Sequence, residues 1–272
     1  MDDLPLPAVC MLSVLGVASF LVLSLAVYRL WHRLPVLPGT DTPLPVVESI
    51  SAIVVASWVG MQLLTLAGDP VNTGRLPTVA DVQLTCQFNV LLFLAILVPM
   101  TYSNTTSVEA FGFHLKNVRQ QVADGVLGFA AAVLPVLGVW LLTLPWRSTS
   151  NSHGLLQLLE QDRSFTTVFW IVIAAVVLAP LVEELIYRVV LQTWLQRVAP
   201  PREALFAVAV IFAAVHRVPD AIPLLPLALV LGYVYQQRRC FLSVVLLHML
   251  FWGESDTGRA DDPASHDSMT VH

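Results

Sequence analysis

Residues 167–188 of the chain read TVFWIVIAAVVLAPLVEELIYR, an uncharged apolar run that ends in two adjacent glutamates and an arginine. Apolar runs of this kind recur through all but the end of the 272-residue chain, which is 56% hydrophobic and 12% charged. Ordinary soluble domains are about 45–50% apolar and about 25% charged. The composition therefore predicts an all-α, polytopic membrane protein.

Eight apolar segments predict about eight transmembrane helices. They span residues 7–28, 46–68, 82–102, 126–146, 167–182, 204–215, 221–235 and 241–252. A helix needs about 20 residues to cross the hydrocarbon core of a bilayer, so the last three segments must extend into their polar flanks. The linker 33–45 contains four prolines, which predict a loop because proline cannot continue a helix.

The predicted organisation has three parts. Residues 1–164 form N-terminal transmembrane helices with interfacial segments, residues 165–252 form a helical core, and residues 253–272 form an acidic disordered tail. Segments 104–121 and 147–166 mix charges with apolar residues, which is compatible with short interfacial helices and equally with simple loops.

The charge distribution predicts how the chain sits in a membrane. Nine of the 14 Lys and Arg residues fall in the segments on one side and five in the segments on the other. By the positive-inside rule this asymmetry favours both termini outside, in a multi-pass protein of the plasma (inner) membrane. The net charge of −5 and the lack of a basic cluster exclude a nucleic-acid partner, which needs a basic footprint.

The charged residues that directly follow the fifth apolar segment are the strongest functional signal. Glu184 and Arg188 have i,i+4 spacing, so they lie on one helix face and can pair, whereas Glu183 projects about 100° away at 3.6 residues per turn. Such groups cost several kcal/mol in a membrane helix and persist mainly at bundle interiors or water-filled cavities. One interpretation leaves Glu183 free to exchange protons. The other is a structural ion pair with Glu183 beside water at the helix end.

Two histidines on later helices strengthen the first interpretation. His216 ends the apolar run 206–215, and His248 lies within the run 241–252. Two imidazoles near a double-glutamate helix are the residue types that a general acid–base site needs.

In these residues the chain resembles the CPBP intramembrane endopeptidases, the family of type II CAAX prenyl proteases and Abi proteins. The family motif E-E-x-x-x-R is complete, and F-x-x-x-H is also present. The third motif, H-x-x-x-N, is half present, because the Asn position is Trp252. The motif positions are Glu183, Glu184, Arg188, Phe212, His216, His248 and Trp252.

The resemblance implies an intramembrane endopeptidase that cleaves near the C-terminus of a membrane-associated, CAAX-like substrate. Glu183 would act as general base with His216 as its partner, and His248 would stabilise the oxyanion. Glu184 and Arg188 would complete the catalytic set, while Phe212 and Trp252 would bind substrate. Trp252 cannot replace Asn fully, since indole offers one N–H and no acceptor.

The sequence leaves three further questions open. Two Glu and two His could ligate zinc, but the resemblance implies that no cofactor is required. A non-catalytic immunity or scaffold relative is the alternative function, favoured by Trp252, and a proton-linked transporter is a third. If the fifth and sixth segments run antiparallel from residues 167 and 204, Glu183 lies about 24 Å from one face and His216 about 18 Å from the other. The two side chains then differ in depth, unless helix tilt, a kink at Pro180 or a fifth span centred nearer Tyr187 closes the gap.

Overall fold

The protein is all-helical throughout the residues that the computed structural model describes, which are 6–40, 42–66, 76–102, 106–146, 154–216 and 218–255. This part of the chain contains nine main helices and no strand. The helices are α1 (Leu6–Trp31), α2 (Ser49–Leu66), α3 (Val79–Tyr102), α4 (Val118–Thr143), α5 (Gly154–Gln161), α6 (Phe165–Leu195), α7 (Pro201–Ala214), α8 (Ala221–Arg238) and α9 (Phe241–Ser255).

Each of the eight predicted apolar segments corresponds to a helix, but eight membrane crossings are not confirmed. In segment 46–68 the helix begins at Ser49, and residues 67–68 lie outside the described residues. In the described part of the chain, five helices are long and apolar enough to cross a membrane: α1, α2, α3, α4 and α6. Helices α7 and α9 have only 14 and 15 residues. At 1.5 Å per residue each is about 21–23 Å long, which is shorter than a hydrocarbon core of about 30 Å.

The structure describes parts of the two predicted polar connections, 104–121 and 147–166, and the start of the predicted tail. Among the described residues of segment 104–121, Val108–Phe111 form a 3-10 turn and residues 118–121 begin α4. The C-terminal part of segment 147–166 contains the amphipathic helix α5. Residues 147–153 lie outside the described residues. Helix α9 continues to Ser255, so the predicted tail begins later than residue 253, and its remainder lies outside the described residues.

The described part of the proline-rich linker is non-helical, as predicted, and we call residues 34–40 and 42–48 the strap. Hydrogen bonds hold it against helix ends, among them the three that follow. Arg197 Nη1 donates to the Leu44 carbonyl at 3.1 Å, Arg238 Nη1 donates to the Pro38 carbonyl at 3.3 Å, and the Thr40 N–H donates to the Gln237 carbonyl at 3.0 Å. The strap therefore lies across the C-terminal ends of α6 and α8, which we call the strap end of the bundle.

Helix α4 packs against α1, α8 and α9, and small residues set how closely it approaches them. Ser19 of α1 is fully buried, and its hydroxyl accepts a hydrogen bond from the Leu134 N–H at 3.1 Å. Gly125 faces α9 so closely that a Cβ atom there would lie 2.9 Å from the Ser243 carbonyl oxygen. Small residues at helix contacts are typical of membrane bundles. This packing places α9, with His248, beside α6.

Gly125→Ala is expected to lower the free energy of unfolding by about 1–3 kcal/mol, the usual cost of overpacking. The added methyl group would press on the Ser243 backbone, which cannot rotate away. Gly138→Ala is the matched control on the same helix, because a Cβ at residue 138 meets nothing within 4 Å. Thermal unfolding of the two purified variants in detergent measures the difference. Equal stability of both variants would contradict the close α4–α9 contact.

Candidate active site

The glutamate pair lies on a short α-helical stretch of α6 between two π-helical stretches. Residues Ile173–Leu178 and Leu185–Gln192 are π-helical, and Ala179–Glu184 between them is α-helical. Pro180 has no backbone N–H and so interrupts the regular hydrogen-bond ladder. The N–H of Ala179 donates to a carbonyl five residues back. Such widened turns are frequent at functional sites, and here they flank both carboxylates.

Glu183 and His216 lie at the same level of the bundle, without the depth difference considered from the sequence. His216 Nε2 is 3.9 Å from Glu183 Oε1. The depth difference follows only if the fifth span ends at residue 182, before the first charge, but α6 continues to Leu195. This corresponds to the alternative of a fifth span centred nearer Tyr187. Glu183 therefore lies near the middle of its helix, where the end of α7 can reach it.

Glu183 and His216 form the accessible part of the cluster. Their side chains are 26% and 23% exposed. The Nδ1 atom of His216 lies 2.7 Å from the Phe212 carbonyl oxygen, and because a carbonyl only accepts, Nδ1 carries a proton. In the neutral ring Nε2 is then the basic nitrogen, and it faces Glu183. Their separation exceeds a direct hydrogen bond and is within reach of one bridging water.

Glu184, Arg188 and His248 form the buried part, with side chains at most 1% exposed. Glu184 Oε2 accepts from Arg188 Nε at 3.2 Å, so the i,i+4 pair expected from the sequence is present. Glu184 Oε1 lies 2.8 Å from His248 Nδ1. The opposite ring nitrogen, Nε2, is 3.7 Å from Glu183 Oε2. His248 thus lies between the two carboxylates and connects the buried part to the accessible one.

Phe212 lies at the centre of these side chains. Its ring is 5.2 Å from the Arg188 guanidinium carbon, 4.8 Å from the His216 ring and 5.9 Å from the His248 ring. From the sequence, Phe212 is expected to bind substrate. The residue is 0% exposed and its observed contacts are with the cluster, so a role in substrate binding stays a prediction.

Two other residues complete the description. Tyr187 packs edge-on against Phe212, with ring centroids 5.1 Å apart, and is 2% exposed. Tyr187 was not predicted from the sequence, although it directly precedes Arg188. Trp252 lies in α9 one turn after His248, and its side chain is outside the described residues, so its predicted role in substrate binding stays a prediction.

The expectation that no cofactor is required stays a prediction. Among the described residues no group of three or more His, Cys, Asp or Glu side chains could hold a metal ion. The Nδ1 atoms of both histidines have partners, Glu184 for His248 and the Phe212 carbonyl for His216, and the Nε2 atom of each ring faces Glu183. The mechanism proposed below uses these side chains and no metal.

Comparison with protein families places this cluster in a known group. Residues 165–252 match the family model described as type II CAAX prenyl endopeptidase Rce1-like. No curated protein and no solved structure matches the chain. The match covers about a third of the chain and contains both glutamates, Arg188 and both histidines. Residues 165–252 of this integral membrane protein thus match the CPBP/CAAX protease family, which the sequence motifs also resemble.

Proposed function

We propose that this protein is an intramembrane endopeptidase that hydrolyses a peptide bond near the C-terminus of a membrane-associated, CAAX-like substrate. The observation that carries the proposal is the approach of His216 and His248 to within 4 Å of the Glu183 carboxylate. A general base must lie within hydrogen-bond reach of the proton that it abstracts, directly or through one water. The geometry around Glu183 meets that requirement for a water held between Glu183 and His216.

In the proposed first step, Glu183 Oε1 and His216 Nε2 each accept a hydrogen from one water molecule. The water oxygen attacks the carbonyl carbon of the scissile bond while its proton passes to Glu183. The carbonyl π electrons move to the oxygen, which becomes an oxyanion. When this tetrahedral intermediate collapses, the C–N bond breaks and Glu183 returns the proton to the leaving nitrogen. One water is consumed, and a carboxyl group and an amine are formed.

His248 is the proposed donor to the oxyanion. Its Nδ1 proton is directed at Glu184, so donation from Nε2 as well requires both nitrogens to carry hydrogen, which makes the ring an imidazolium. The negative charges of the two glutamates are then balanced by the positive charges of Arg188 and His248, so the cluster has no net charge. A preorganised donor of this kind is typically worth about 2.7–4 kcal/mol of transition-state stabilisation.

For the apolar part of the substrate we propose a cavity on the two helices that carry the glutamates and His248. A cavity of about 660 Å³ is lined by residues from α6, α9 and the segment before α4. Leu181 lies two residues before Glu183, and Val245 lies three residues before His248, so the cavity adjoins both helices of the site. We assign it to the aliphatic residues or lipid group of the substrate terminus. Phe212 has the role of holding Arg188 and both histidine rings in place.

For the cellular setting we propose the plasma (inner) membrane, with both termini outside. Support comes from the asymmetry of Lys and Arg in the connecting segments. Arg197 and Arg238, two of the nine residues on the more basic side, contact the strap. The strap end is therefore the proposed cytoplasmic end of the bundle.

Glu183→Gln is expected to lower the hydrolysis rate by about 10²–10⁴-fold, the usual contribution of general acid–base catalysis, because an amide cannot accept the proton of the attacking water. The assay follows cleavage of C-terminally labelled peptides, with and without a prenylated cysteine, by mass spectrometry of the products. Glu203→Gln, in the exposed first turn of α7, is the matched control and should keep full activity.

Unchanged cleavage by folded Glu183→Gln protein would refute the proposed role of this residue. If the wild-type chain cleaves none of the peptides, yet keeps a partner-binding activity that is insensitive to Glu183→Gln, the non-catalytic immunity or scaffold function takes its place. The Trp252 substitution is the observation that favours this second function.

Arg188→Met is expected to destabilise the fold by about 3–5 kcal/mol, the cost of leaving a buried charge without its partner. The double variant Glu184→Gln/Arg188→Met removes both charges and should recover most of that loss while remaining inactive. Denaturant unfolding and the peptide assay measure the two properties separately. A double variant as unstable as the single one would show that Glu184 and Arg188 do not stabilise each other.

Chelation should leave the rate unchanged, because the proposed chemistry uses the side chains of Glu183, His216 and His248 and no metal ion. The measurement compares peptide cleavage before and after incubation with 1,10-phenanthroline, with a zinc peptidase as positive control for chelation. Loss of activity that added zinc restores would overturn the metal-independent mechanism.

A further inference from the structure

A line of buried polar side chains runs along α6 from the active site to the strap end. Glu184, Arg188, Gln192 and Gln196 follow one another at i,i+4 spacing, and each is at most 6% exposed. At 1.5 Å per residue this line is about 18 Å long. We call these four residues the polar stripe. The proposed hydrolysis uses only its first two members.

Helix α8 faces the polar stripe and accepts hydrogen bonds from two of its residues. Gln192 Nε2 donates to the Gly232 carbonyl at 2.9 Å, and Gln196 Nε2 donates to Gln236 Oε1 at 3.0 Å. Gly232 makes this approach possible, because a Cβ atom there would lie 3.1 Å from Gln192 Oε1. Gln236 is only partly buried, so the stripe reaches the protein surface at the strap end.

The middle of the stripe has polar atoms that protein groups leave unsatisfied. Within the described residues, Arg188 Nη1, Arg188 Nη2 and Gln192 Oε1 are buried and have no hydrogen-bond partner. An unsatisfied buried polar group is unfavourable, and more so when it is charged. Three such atoms on consecutive turns of one helix indicate a ligand between them, since native proteins satisfy nearly all buried polar groups with protein or water.

The chemistry of these three atoms identifies the ligand as water. The guanidinium nitrogens only donate and Gln192 Oε1 only accepts, so one small molecule must both accept and donate. An anion satisfies Arg188 but not Gln192 Oε1, and Glu184 already matches the charge of Arg188. A substrate group would need an opening, but both side chains are 0% exposed.

We propose that α6 and α8 bind a file of buried water molecules, held by Arg188 and Gln192 and continuing past Gln196 to the strap end. The file hydrates the buried group of Glu184, Arg188 and His248 from the side opposite to Glu183. Water molecules that bridge two or more polar groups are regular components of protein interiors. If the proposed hydrolysis is correct, this water connects the acid–base cluster with solvent while the accessible side is covered by substrate.

Radiolytic hydroxyl-radical labelling of the full chain in nanodiscs tests the proposal, because radicals form where bound water lies. The reporter is Phe212, which is 0% exposed and has the Arg188 guanidinium over its ring. Met100, which is 1% exposed in the core, is the internal control and oxidises readily when water is near. We expect labelling of Phe212 at least about tenfold above that of Met100, with uptake of ¹⁸O after transfer to labelled water.

Gln192→Leu removes one water ligand and should reduce Phe212 labelling to the level of Met100. Gly232→Ala crowds Gln192 Oε1 and should act in the same direction, which keeps the test valid if Gln192→Leu does not fold. Gln87→Leu, at an exposed position of α3, is the matched control and should change nothing.

Labelling of Phe212 no higher than that of Met100, or labelling unaffected by both variants, would overturn the water file. The same experiment on Glu183→Gln separates this proposal from the proposed function. That variant should keep wild-type labelling, because the water file does not depend on hydrolysis.

Discussion

The buried hydrogen-bonded ion pair between Glu184 and Arg188 is the interaction on which the site depends. Both side chains are fully buried, and Nε of Arg188 lies 3.2 Å from Glu184 Oε2. Either charge alone would be very unfavourable in this environment. Because the pair satisfies only one oxygen of Glu184, the second oxygen remains available for His248 at 2.8 Å. The pair thus fixes the side chain that links the buried part of the cluster to Glu183.

The sequence was sufficient to predict the helical segments and the residues of the cluster, because both depend on local patterns. Apolar windows located all eight segments within helices, and i,i+4 spacing identified the Glu184–Arg188 pair. The depth of Glu183 was not predictable by the same reasoning. A hydropathy window ends a span at its first charge, but here the charges are neutralised inside the bundle and α6 continues for twelve residues beyond Glu183. The complete burial of Phe212 is a tertiary property that no local pattern contains.

Two neighbouring glutamates acquire different tasks through their surroundings. Glu184 is enclosed and uses both oxygens to hold Arg188 and His248, so it has little capacity left for a reaction. Glu183 is 26% exposed and lies 3.7–3.9 Å from two imidazole nitrogens, close enough for a water to enter. The two glutamates are adjacent in the sequence, so their side chains point about 100° apart around the helix. Because of this difference Glu184 holds its neighbours in place, while Glu183 is the proposed base.

The position of His248 also bears on the replacement of the family's Asn by Trp252. In the proposed reaction, negative charge leaves Glu183 as it takes the proton of water and appears on the substrate oxygen. Glu183 Oε2 lies 3.7 Å from His248 Nε2, and the same nitrogen is the proposed donor to the oxyanion. In this proposal the His248 imidazolium compensates the charge before and after the step. Electrostatic stabilisation is most effective when the protein dipoles and charges need not reorganise. In the proposed site Glu184 already holds the positive charge of His248 in place. Such a site therefore depends less on a second oxyanion donor than a site with a neutral histidine.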